Sequence, residues 1–102
     1  MELSVHLEGT MDIFRLTYTL VGQHEPRELL LDVLARRWTA RVIVQTVIMH
    51  EFPDCNLPEM KAGQWTADDV LAQFGISGLE CTYINWLGEE WHGHVTATGI
   101  IA

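Results

Sequence analysis

Between Leu79 and Ile101 the chain alternates apolar and polar residues on both sides of a Gly88-Glu89 pair, a pattern that reads as a β-hairpin. A hairpin cannot bury its apolar face alone, so the rest of the chain must supply further strands or helices to cover it. Glycine at the first turn position permits a two-residue type II′ connection. On that register Leu87 faces Glu90, Trp86 faces Trp91 and Asn85 faces His92. One face then carries Thr82, Ile84, Trp86, Trp91, Val95 and Ala97, and the other Cys81, Tyr83, Asn85, His92, His94 and Thr96. The first face is the apolar one, which makes Trp86 and Trp91 core residues.

The remaining segments are read in the same way. Residues 3–8 alternate Leu3, Val5 and Leu7 with polar residues, Gly9-Thr10 can turn the chain, and residues 13–21 resume with β-branched and aromatic side chains, so a second hairpin is expected near the N-terminus. Glu25-Pro26 resembles a helix entrance, with Glu25 and Glu28 near its positive end and Arg36 and Arg37 near its negative end, which predicts a helix over 26–37. Val42, Ile43, Val44, Val47 and Ile48 are β-branched and predict a buried strand, with a continued helix as the alternative. Residues 51–65, with Pro53, Pro58 and Gly63, form a loop, and Thr66-Ala67-Asp68-Asp69 starts a short helix that Gly75 ends. The resulting order is β-β-α-β-α-β-β. It describes one α+β domain over 1–102, with two helices packed on an antiparallel or mixed sheet.

Charge narrows the functional classes. The 102 residues hold 14 acidic and 6 basic side chains, a formal net charge of −8. Residues 1–41 carry six acids and five bases, whereas 42–102 carry eight acids and only Lys61, so −7 of the −8 belongs to the second part. Such a field repels phosphate backbones and anionic lipid, and direct nucleic-acid or membrane binding is not expected. The longest apolar stretch, Val42 to Met49, is interrupted by Gln45 and Thr46 and is too short to span a bilayer. No signal or transit pattern precedes it, and a cytoplasmic location with Cys55 and Cys81 as free thiols is the expectation.

Few motifs carry chemistry. His92 and His94 stand two apart on a strand and point to one side, so they could ligate a metal with Cys81, His50, Glu51 or Cys55 as a third partner; an ordinary solvated strand face is the simpler account of them. A Cys–His nucleophile pair lacks a supporting motif, and no phosphate loop, nucleophile elbow or zinc-protease helix occurs. The expectation is a protein without catalytic activity or cofactor.

The acids form small groups, Glu51 with Asp54 and Glu59, Asp68 with Asp69, and Glu89 with Glu90, and Trp65 lies at the junction of the loop and the second helix. Carboxylates so placed can complement Lys and Arg on a basic partner, although they also serve solubility. Asp54, Glu59, Trp65, Asp68, Asp69, Glu89 and Glu90 are therefore the candidate partner-binding residues. The function expected is a small acidic inhibitor or neutralising protein, immunity-like or directed against a defence complex, that docks on a basic protein. The alternatives are an assembly protein that dimerises through the sparsely charged C-terminal strand edge, and a metal-binding protein using His92 and His94.

Overall fold

The computed structural model describes residues 12–96 and 99–101, the last three by backbone alone. The elements are β1 at Ile13–Leu20, β2 at Arg27–Asp32, α1 at Ala40–Glu51, α2 at Ala67–Ala72, β3 at Ile76–Ile84, β4 at Glu90–Thr96 and β5 at Gly99–Ile101. Among the described residues all strand pairs are antiparallel, in the spatial order β2-β1-β3-β4-β5. The class is α+β. The strand expected at 3–8 lies outside the described residues.

Register divides the sheet into two faces. Leu16 pairs with Leu29 on one side and Cys81 on the other, and Cys81 pairs with Gly93, so these four share a face with Tyr18, Leu31, Leu79 and Val95. Both helices contribute to the same buried cluster as this face, through Ile43, Val44, Val47 and Ile48 of α1 and Ala67, Val70 and Leu71 of α2. The opposite face carries Arg15, Glu28, Glu80, Thr82, Glu90, His92 and His94.

Two elements differ from the sequence expectation, and each has a local cause. Residues 27–32 are a strand, not part of a helix over 26–37. Leu31 is buried, Leu29 half-buried and Leu30 exposed, which is a period of two hidden inside a run of three leucines. Leucine's helix preference is worth only tenths of a kcal/mol, roughly, and pairing along β1 overrides it. The strand ends where Asp32 Oδ1 accepts from Leu34 N at 2.9 Å.

Residues 42–48, expected as a strand, lie inside α1. The buried positions Ala40, Ile43, Val44, Val47 and Ile48 follow the i, i+3, i+4, i+7, i+8 spacing of one helix face. Thr39 caps the helix by accepting from Val42 N at 3.2 Å. The short helix after Thr66 forms as expected, with Thr66 Oγ1 accepting from Asp69 N at 3.1 Å.

The C-terminal hairpin exists, but its register is displaced by three residues. Ile84 faces Glu90, Tyr83 faces Trp91 and Thr82 faces His92. Asn85 causes the displacement. Its Oδ1 accepts from Leu87 N and Glu89 N, both at 2.9 Å, and its carbonyl accepts from Gly88 N at 2.9 Å. Gly88 takes φ +87° as the left-handed residue closing this wider turn, instead of opening a two-residue one. An odd shift exchanges faces: Cys81 and Tyr83 join Trp91 and Val95, while Thr82 and Ile84 join His92 and His94. The strand expected to run through to Ile101 also divides, because β5 folds back on β4 with Thr96 opposite Gly99.

Candidate functional site

An open groove of about 510 Å³ lies where α2 meets β3 and β4. Asp68 and Asp69 reach it from the first turn of α2, Glu80 from β3 and His94 from β4, and neither lysine nor arginine lines it. Thr66 fixes the helix start, so both aspartates are held at the mouth in exposed positions. Carboxylates in the first turn also favour the helix dipole, which accounts for part of their presence. Among the described residues no cation pairs with Asp68 or Asp69, and the nearest base to Glu80 is His94, with Nδ1 at 4.0 Å from Oε2. Three carboxylates facing one cleft can bind a lysine or arginine side chain with charge-assisted hydrogen bonds.

The other candidate acids stand apart from this groove. Asp54 is exposed on the loop after α1. Glu59 lies 3.9 Å from Lys61 Nζ, and both are exposed. Glu89 accepts from Asn85 Nδ2 at 2.8 Å. Glu90 is engaged on the open sheet face by Arg15 at 3.4 Å and lies 3.7 Å from His92 Nε2. Trp65 is half-buried and packs against the core. Glu80 was missed among the candidates because only the strand register brings it level with His94, beside which it lines the groove.

His92 and His94 share the open face, as two residues separated by one on a strand must. His92 Nδ1 lies 3.0 Å from Thr82 Oγ1. Among the described residues no group of three His, Cys, Asp or Glu side chains is arranged to hold a metal ion. Cys81 belongs to the helix-covered face, opposite the histidines, and burial pushes its thiol up to about 11. Cys55 is half-buried against the core. The position of Cys81 separates its thiol from the His92 and His94 imidazoles that would activate it as a nucleophile.

The hairpin end corrects the reading of Trp86 and Trp91 as core: they are 57% and 51% exposed. Trp91 stacks on Tyr83 at 5.4 Å between centroids, and Tyr83 meets Phe14 at 5.8 Å. The Tyr83 hydroxyl donates to Asp12 Oδ2 at 2.8 Å, which raises its pKa, and Asp12 Oδ1 accepts from Trp86 N at 2.9 Å. Asp12 thus tethers the hairpin end to the start of β1.

A second polar assembly is structural. The hydroxyl of Tyr18 donates to Glu51 Oε2 at 2.5 Å, and Arg27 grips the same carboxylate with Nε at 3.1 Å and Nη2 at 3.2 Å. Burial pushes the Glu51 carboxyl up, but the hydrogen bonds from Tyr18 and Arg27 outweigh it and hold the group below its ordinary value. Burial and the Glu51 contact together raise Tyr18. The assembly ties the C-terminus of α1 to β1 and β2.

Comparison with known proteins gives one short likeness. Over 43 residues the chain is 42% identical to the alpha-1,6-mannosylglycoprotein 6-beta-N-acetylglucosaminyltransferase B of Homo sapiens, and equally so to the Mus musculus protein of that name. The match covers 40% of this chain and 5% of each of those proteins, a stretch too short to assign a family. No family model and no solved structure matches the chain. Among the described residues no helix is long and apolar enough to cross a membrane.

Proposed function

We propose that this protein is a small acidic binding domain that acts without catalysis, as an inhibitor or neutralising protein, by docking on a basic surface of another protein. The observation that carries the reading is the groove between α2 and β3, where Asp68, Asp69 and Glu80 present carboxylates with no lysine or arginine in the lining. A cationic side chain entering it gains close partners, and the surrounding negative field speeds its capture. Burial of Cys81 on the face opposite His92 and His94 supports the non-catalytic part.

Co-purification from the native source at moderate salt tests the proposal. The wild-type chain is expected to retain a basic protein that the Asp68→Asn, Asp69→Asn, Glu80→Gln variant releases. Retention of the same protein equally by both chains, with both shown folded by circular dichroism, refutes it.

A second reading rests on the backbone. Among the described residues β5 lies at an outer edge of the sheet, where it can pair with another copy. Sedimentation over a wide concentration range is expected to show a dimer that removal of residues 99–102 dissociates, and an invariant monomer eliminates it.

A further inference from the structure

A second groove, of about 490 Å³, runs between α1 and β2, remote in character from the acidic one. Its apolar walls are Leu29, Trp38, Val42, Met49 and Leu57, and its polar and basic groups are Gln45, Thr46, His50 and Arg36. Among the described residues no acidic side chain lines it, although acids outnumber lysine and arginine by 14 to 6 in the chain. We propose that this groove binds an amphipathic carboxylate, a small aliphatic or aromatic body ending in one anionic group.

The size is that of a small-molecule site, and the composition fits one: apolar side chains beside polar groups that fix orientation. Trp38 is held before any ligand arrives, because its Nε1 donates to the Asp32 carbonyl at 2.8 Å. The Arg36 guanidinium lies 5.4 Å from the centre of the Trp38 ring, so the cation rests beside the apolar wall. Among the described residues no carboxylate pairs with Arg36, which leaves its fork of donors available for an anion. The first turn of α1 contains no acid, and its positive dipole end begins directly after Trp38. An apolar body against Leu29, Val42 and Met49 with its carboxylate at Arg36 satisfies both halves of the groove.

Octanoate and octanamide differ in charge and little else, and titrating each into the intact protein tests the proposal. The indole N–H signal of Trp38 and the amide signals of Val42 and Met49 are followed by nuclear magnetic resonance. Octanoate is expected to shift these signals saturably and to bind roughly ten-fold tighter than octanamide, the difference one charge-assisted contact supplies. Arg36→Gln, at an exposed position, is expected to bring octanoate to the level of octanamide while leaving octanamide unchanged. Equal binding of the two probes, shifts confined to residues outside the groove, the absence of saturable shifts at millimolar octanoate, or indifference to Arg36→Gln would each overturn it.

Discussion

Replacing Glu51 by alanine is expected to destabilise the fold by about 2–3 kcal/mol at pH 7, because the Tyr18 hydroxyl is then buried without its acceptor. Tyr18 is only 1% exposed, so solvent does not replace the lost partner in the folded state. Arg27, with 44% of its side chain exposed, can be rehydrated and adds little to the loss. The helix dipole works in the opposite sense: an acid at the last residue of α1 is unfavourable there, and its removal alone would stabilise. Any measured loss is therefore assignable to the Tyr18–Glu51–Arg27 assembly.

For a domain of this size the expected fall in Tm is roughly 8–20 °C. Tyr18→Phe, which removes the buried donor along with the bond, is expected to cost only about 1 kcal/mol. The pH dependence has a definite sign. The folded carboxyl titrates below its unfolded value, so its contribution is full above the ordinary glutamate range, near pH 4.3, and disappears as pH falls through the folded value. Urea unfolding of wild type and Glu51→Gln at pH 7 and pH 2.5 is expected to show a gap at pH 7 that narrows in acid. A Glu51→Ala variant within about 0.5 kcal/mol of wild type at pH 7 contradicts the reasoning, the scatter ordinary surface changes produce. So does a gap that stays constant with pH.

Further outcomes are expected elsewhere. With a disulfide reagent at pH 8, Cys55 reacts in the native protein while Cys81, whose buried thiol is pushed up to about 11, reacts only at the rate of unfolding; a single fast phase for both would contradict its burial. Ile48→Ala, at a fully buried position, costs roughly 2–4 kcal/mol by urea unfolding. Trp91→Ala, half in solvent and stacked on Tyr83, costs only about 1 kcal/mol, and the reverse order would contradict the observed hairpin register. Gly88→Ala lowers stability by about 1 kcal/mol through its positive φ alone, since nothing lies within 4 Å of the added Cβ; an unchanged midpoint would argue against the left-handed turn.

Much of this architecture is written in local patterns. Thr66 with Asp68 and Asp69 announces α2, and the alternation on either side of Gly88 announces a hairpin. The α1 stripe was equally present at residues 40, 43, 44, 47 and 48, but β-branched composition outweighed spacing, although such residues lower helix propensity by only tenths of a kcal/mol each, roughly. β2 is less legible: three consecutive leucines erase the alternation, and only pairing with β1 decides which of them turns inward. The hairpin register depended on the side chain of Asn85, which a pattern of apolar and polar residues does not weigh. The acidic groove was half legible. Asp68 and Asp69 declare themselves as helix-start acids, whereas Glu80 enters only through a register that sequence spacing misplaced.

The most direct test of the proposed acidic docking surface is the salt dependence of the affinity between this domain and a basic protein captured with it, measured in parallel for wild type and for the Asp68→Asn, Asp69→Asn, Glu80→Gln variant. The wild-type affinity is expected to fall steeply as salt rises, and the variant to bind more weakly at low salt with a shallower dependence. Superimposable affinities and slopes for the two chains would contradict the account.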